Sequence, residues 1–186
     1  MPGACRTRAR ARHFDDDAGF AAGVKWGFIA PKPGDEVYLV VNGDESEPGT
    51  YKDRLLMERD PHQLIEGCLI AAYAAGLSQV FLYIRGEMPL AHERVGQALN
   101  DAYAAGFVGK NILGTSFSID IVLHWGAGAY VVGEETALIE SLEGKRAQPR
   151  IKPPFPAVSG LYNCPSAVNN VETLSNVPLI IAKGPE

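Results

Sequence analysis

Val37-Tyr38-Leu39-Val40-Val41 is a continuous apolar run that passes directly into Asn42-Gly43-Asp44-Glu45-Ser46-Glu47-Pro48-Gly49-Thr50, a polar, glycine-punctuated loop. A run apolar at every position, closed by Asn-Gly, is the pattern of a strand buried on both faces of a parallel sheet. Open α/β sheets place their ligands at the carboxyl ends of such strands. The segment 42–47 carries three carboxylates, an amide and a hydroxyl. An ordinary solvated turn has little use for that density, which makes this a candidate ligand loop.

The elements on the carboxyl side extend the pattern. Asp60-Pro61 supplies a cap and a first helical residue. Leu64, Ile65, Cys68, Leu69 and Ala72 then recur at helical spacing until Gly76. Val80–Ile84 reads as a second buried strand. Pro89 to Ala105 reads as a second helix with Leu90, Val95, Leu99 and Ala102 or Tyr103 inward, and Ile119–Leu123 as a third strand. Strand alternating with helix implies crossover connections and a parallel sheet. The expected fold class is α/β, a Rossmann-like parallel sheet with helices on both faces.

The third strand runs into Gly126-Ala127-Gly128-Ala129-Tyr130-Val131-Val132-Gly133-Glu134-Glu135, after which Ala137, Leu138 and Leu142 form a helical stripe closed by Gly144. A glycine-rich strand-to-helix turn lets a ligand approach the backbone and offers helix N-terminal amides. The spacing does not match GxGxxG, so this turn alone is weak evidence. Pro149 to Pro165 holds five prolines, which predicts an extended, ordered loop. Ser166 is a candidate helix cap before Val168-Asn169-Asn170. Paired asparagines are costly to bury without partners, so a turn or an N-cap stands beside a ligand role for them.

Composition narrows the function classes. A net charge of −5 argues against a primarily nucleic-acid-binding protein, despite the patch Arg6, Arg8, Arg10 and Arg12. An acid-poor basic start is compatible with a transit segment, and an unrelated or disordered start is the plainer reading. No apolar run is long enough to span a bilayer, roughly 18 to 20 residues, so a soluble chain is expected, and the sparse cysteines suit a reducing compartment such as the cytoplasm. Cys5, Cys68 and Cys164 are far apart and form neither a CxxC pair nor a Cys/His cluster. No metal site is expected here.

Together Gly23–Trp26, Val41–Thr50 with Lys52-Asp53-Arg54, Gly126–Leu138, Ser141–Gly144, Lys152-Pro153-Pro154-Phe155-Pro156, Gly160-Leu161-Tyr162 and Val168–Leu174 resemble the NADH-binding flavoprotein subunit of respiratory complex I. That family includes the diaphorase subunits of NAD-linked hydrogenases and formate dehydrogenases. The resemblance covers most of the chain in family order. It implies FMN and NAD(H) as cofactors and NADH dehydrogenase activity, with hydride passing to FMN and electrons then leaving singly to an iron–sulfur partner. The implied partners are NADH, a thioredoxin-like 2Fe-2S subunit and an iron–sulfur subunit. The implied location is peripheral, on the cytoplasmic face of the membrane or in the mitochondrial matrix, with membrane contact only through the complex.

The resemblance also implies roles for residues. Asn42, Asp44, Glu45 and Ser46 fall on the loop beside the flavin, and Glu47 on the acid facing flavin and nicotinamide. Tyr130, Gly133 and Glu134 fall on the turn at flavin and dinucleotide. Glu135 matches an acid near the adenosine ribose that favours NADH over NADPH. Val168, Asn169, Asn170 and Thr173 belong to a second FMN segment. Lys25 is implied to serve both cofactors, and Phe20 to stack on the nucleotide.

Two departures accompany the match. Where the family begins with a glycine-rich stretch, this chain has Phe14-Asp15-Asp16-Asp17-Ala18-Gly19. Three carboxylates then stand where bare amides would cradle phosphate. Residues 1–17 are therefore read as a non-matching basic and acidic segment and 18–186 as the FMN/NADH domain. The ubiquitin-like and 4Fe-4S cluster domains of the family would lie beyond the chain. The alternative reading is a catalytically silent truncated module that keeps the fold and docks to an electron-transfer partner.

Overall fold

The structure, a computed structural model, describes residues 22–29 and 31–184. The segment 1–17, with Cys5, the arginines and Asp15–Asp17, lies outside the described residues, as does Phe20.

Four parallel strands, β1 (Tyr38–Gly43), β2 (Gln79–Ile84), β3 (Asp120–Trp125) and β4 (Ser166–Asn170), form one sheet in the order β3-β2-β1-β4. The fold is α/β, as expected. The helices are α1 (Ala22–Gly27), α2 (Lys52–Arg59), α3 (Pro61–Ala75), α4 (Pro89–Ala104), α5 (Glu135–Leu142) and α6 (Val171–Lys183). The continuous apolar run of β1 has its cause in the two cores. Leu39 and Val41 enter the larger core with Met57, Leu64, Cys68, Val95 and Leu174. Val40 enters a smaller one with Leu138, Ile139 and Leu161 on the other face. Both faces carry helices, and a strand between two dry cores has no polar side to show.

The strand order places the ligand crevice. From β1 the chain steps outward to β2 and β3, then crosses back to add β4 on the other side of β1. The order therefore reverses between β1 and β4. Such a switch point opens a crevice beyond the carboxyl ends of the two strands.

Local signals account for most boundaries. Asp60 caps α3, its carboxylate accepting from the Gln63 amide, with Pro61 at the first position and Gly76 left-handed at φ 66° beyond the end. Gly67 is where α3 meets α6. A Cβ there would lie 2.0 Å from the Leu174 carbonyl oxygen, so only glycine permits this approach. The loop before β4 is ordered and not helical apart from a short turn at Leu161–Asn163. Arg150 holds it by pairing with Glu140, with Glu143 at 2.9 Å, and with the Gly160 carbonyl at 2.9 Å.

Two expectations are corrected and one alternative is resolved. Leu90 is exposed, because the buried stripe of α4 runs Ala91, Val95, Ala98, Leu99, Ala102 and leaves Leu90 one position ahead of it. Of the pair Ala102 or Tyr103, it is Ala102 that faces inward; Tyr103 is outward, its hydroxyl donating to Asp120 and accepting from the Ile121 amide. Ser166 does not cap a helix: it begins β4, and its hydroxyl accepts from the Leu161 amide and donates to the Cys164 carbonyl. The cap of the following helix is Asn170, whose side chain accepts from the Glu172 amide at 3.0 Å.

Candidate cofactor site

A cavity of about 500 Å³ opens at the switch point, between the loop that leaves β1, the N-terminus of α2, the short helical turn Tyr130–Gly133 and the end of β4. Its frame starts at Asn42, the residue before the end of β1. The Asn42 amide donates to the Gly133 carbonyl at 2.9 Å, and its oxygen accepts from the Asp44 N–H at 3.1 Å. One side chain thereby ties the acidic loop to the glycine-rich turn. Gly126 lets that turn cross the sheet: a Cβ there would sit 2.4 Å from the Tyr83 ring.

Asp44 is the chemically unusual group. It is buried, and its Oδ2 accepts from the Ser46 hydroxyl at 2.9 Å. Its Oδ1 is buried with no hydrogen-bond partner among the described residues, and Asp44 lines the cavity. Buried polar atoms are nearly always partnered. Burial pushes the carboxyl above its ordinary range, against the Ser46 hydrogen bond and the Arg85 charge that favour the ionised form.

The other acids of the loop have partners. Glu45 accepts from the Asp53 and Arg54 amides at 3.0 and 3.1 Å, capping the N-terminus of α2. Glu47 is exposed and accepts from the Tyr130 hydroxyl at 2.6 Å, joining two walls of the cavity at its rim. That acceptor raises the Tyr130 phenol above its ordinary value. Glu134 caps α5 through the Thr136 and Ala137 amides, both at 2.9 Å, and accepts from Lys152 at 3.0 Å. Burial opposes its ionisation, yet these bonds outweigh it and hold the carboxyl below its usual range.

On the β4 side, Asn170 caps α6 and donates to Asp53 at 2.8 Å. Lys52 bridges Asp53, Asn170 and Glu172 at 2.8, 2.9 and 3.1 Å. Burial would lower its pKa, but Asp53 and Glu172 more than compensate and raise it. Beside the cavity, Glu135 pairs with Lys152 at 2.6 Å and with Lys25 of α1 at 3.7 Å.

The structure thus gathers Asn42, Asp44, Glu45, Ser46, Glu47, Tyr130, Gly133, Glu134 and Asn170 around one cavity. Glu135 and Lys25 form a charge cluster adjoining it. Three further expected residues neither line nor adjoin it. Val168 lies in the smaller core, Asn169 accepts from the Trp26 indole at 2.8 Å on the face toward α1, and Thr173 is buried on α6. Lys52, Asp53 and Lys152 lay in stretches that carry the resemblance but were given no site role there. Their signals were present: Lys52-Asp53 opens a helix, and Lys152 is a cation flanked by prolines.

The donor set states what can bind. Three helix N-termini approach the cavity, and each is already capped by a protein side chain: Glu45 on α2, Asn170 on α6, Glu134 on α5. With Asp44, Glu45, Glu47, Asp53 and Glu134 in its lining, the cavity offers acceptors to N–H and O–H groups and repels bare phosphate. A polyhydroxylated chain or a ring bearing an N–H fits it. No helix among the described residues is long and apolar enough to cross a membrane, and none of their His, Cys, Asp and Glu side chains form a group able to hold a metal ion.

Residues 16–179 match the family described as the Nuo51 FMN-binding domain. Among curated relatives, an NADH-quinone oxidoreductase F subunit of Rhizobium meliloti is 56% identical over 167 residues, which is 90% of this chain and 40% of that protein. The corresponding NADH-quinone oxidoreductase component of Streptomyces coelicolor is also 56% identical, over 90% of this chain and 37% of that one. Among solved structures, an NAD+-reducing [NiFe]-hydrogenase in the H2-reduced state superposes with a TM-score of 0.85 at 39% identity, covering 99% of this chain and 31% of that chain. The chain therefore spans about 40% of the length of the curated relatives it matches.

Proposed function

Because the chain belongs to the family of the Nuo51 FMN-binding domain, we propose that the cavity at the β1/β4 switch point holds the ring and ribityl chain of FMN in an NADH-oxidising flavoprotein module. FMN bound there supplies the redox chemistry, taking a hydride from NADH and passing electrons singly to an iron–sulfur acceptor. The observation that carries the reading is the buried Oδ1 of Asp44 in the cavity lining, which has no hydrogen-bond partner among the described residues. A flavin or ribityl donor is the partner it needs.

The protein groups then divide the work. Asn42 and Ser46 fix the loop and the Asp44 carboxylate. Glu45, Glu134 and Asn170 act as caps that shape the walls, while their remaining polar surface faces the ligand. Glu47 and Tyr130, bonded at the rim, are placed to meet the nicotinamide where it approaches the ring. The Glu47 charge disfavours added electron density nearby and keeps the flavin a strong reductant. Lys25, Lys152 and Glu135 form the dinucleotide end, with Lys25 serving phosphate as a mobile point charge. Val168, Asn169 and Thr173 support the FMN segment from behind. The parent assembly we infer is a multisubunit complex of the kind named by the relatives, with iron–sulfur partners and a place on the cytoplasmic face of the membrane.

The test is a titration of the purified chain with FMN, followed by quenching of flavin fluorescence. Saturable quenching by the wild type and its loss in Asp44→Ala, with a melting temperature in the absence of FMN no lower than that of the wild type, is the expected result. Equal binding by the variant removes the assigned role of Asp44. No binding by either protein removes the proposal.

A further inference from the structure

Arg85 stands behind the acidic loop and outside the cavity lining. It is the first residue after β2, and its backbone N–H donates to the Gly43 carbonyl at 3.2 Å, which fixes it against the end of β1. The side chain turns back toward the loop. Nη1 donates to the Glu45 carbonyl at 3.1 Å, while Nε and Nη2 donate to the Glu87 carboxylate at 3.0 and 3.4 Å. A guanidinium is a rigid planar fork, so anchoring one side on Glu87 aims the other.

The Glu45 residue is consequently held at both ends. Its carbonyl is on Arg85, and its carboxylate is on the first amides of α2. On the other side of Asp44, the Asn42 side chain holds the Asp44 N–H. The backbone on either side of Asp44 is therefore pinned by contacts that a ligand in the cavity need not touch. The positive charge of Arg85 also favours ionised Asp44, against the burial that disfavours it.

We infer that Arg85 is a positioning residue for the flavin loop: by clamping the Glu45 carbonyl it holds Asp44 in the orientation that receives the flavin. This rests on the FMN reading above. The competing role is that of an ordinary surface ion pair. Glu87 is largely exposed, and exposed pairs contribute little to stability. On that role alone, loss of Arg85 would change neither flavin affinity nor its dependence on Asp44.

A double-mutant cycle separates the two. FMN affinity is measured by fluorescence quenching for the wild type, Arg85→Met, Asp44→Asn and the double variant, with melting temperatures as the control of folding. We expect Arg85→Met to weaken FMN binding by about tenfold in the wild-type background but by about twofold or less once Asp44 is Asn, since residues acting through one another are not additive. Equal losses in both backgrounds, or no loss in either, overturn the inference while the FMN reading stands. A wild-type chain that takes up no FMN overturns that reading and this inference with it. Should Arg85→Met fail to fold, Arg85→Gln keeps a donor for the carbonyl but not the charge or the anchored fork, and the same coupling to Asp44 is expected of it.

Discussion

Asp44 carries opposite consequences for folding and for binding. Its carboxyl is raised by burial, whereas an unfolded aspartate titrates near about 3.9. Between that value and the raised folded-state value, the folded chain binds more protons than the unfolded one. Stability therefore falls as pH rises through this window, and the full penalty is present once pH exceeds the raised folded-state value. Asp44→Asn should raise the stability of the ligand-free protein at neutral pH by on the order of 1 kcal/mol. Thermal melts across a pH series should show the gain shrinking as pH drops through the raised folded-state value toward the ordinary aspartate value. A variant no more stable at neutral pH would mean that Oδ1 is satisfied in solution. Glu135 allows a second test at this scale. It lies between Lys25 and Lys152, so Glu135→Gln leaves two ammonium groups that attract a 2′-phosphate. The ratio of NADPH to NADH oxidation should rise by about tenfold or more; an unchanged ratio would remove Glu135 from the dinucleotide end.

The elements show how much a single strand's pattern can disclose. β1 was readable because its residues between the two cores are apolar without interruption. Its extension through Asn42 and Gly43 was not, because it depends on pairing with Tyr83, Ile84 and Asn170. β4 escaped the pattern for a related reason. Two of its five residues are asparagines, and their burial is allowed by distant partners: the Trp26 indole for Asn169, Asp53 for Asn170. Neither partner is visible from local sequence, so the reading of a turn or cap captured only Asn170. The hydrogen bond from Tyr130 to Glu47 was equally hidden, although both residues were singled out separately. The α3–α6 contact yields a prediction against local propensity. In an isolated helix Gly67→Ala should stabilise by about 1 kcal/mol. Here its Cβ would meet the Leu174 backbone at 2.0 Å, and the net result should be a loss of about 1–3 kcal/mol. Chemical denaturation measures it, and a stabilised variant would show that the two helices can separate without cost.

Across the whole molecule, the reversal of strand order between β1 and β4 decides where chemistry can occur. It brings the N-termini of α2, α5 and α6 toward one cavity, and the sequence spends an acid or amide side chain on capping each. The resulting cavity accepts hydrogen bonds, carries a buried carboxylate oxygen with no partner among the described residues, and has its lysine–glutamate cluster to one side. This division suits a cofactor with a neutral ring and a charged tail, approached by a second nucleotide. The most direct measurement is anaerobic. The purified chain is loaded with FMN, freed of unbound flavin, mixed with NADH, and followed by absorbance in the flavin band. Bound flavin that co-purifies with the chain and is bleached by NADH, rapidly and to completion, is the predicted result. Retained flavin that NADH leaves oxidised would contradict NADH oxidation at this site, and flavin lost on desalting would contradict the cofactor site itself.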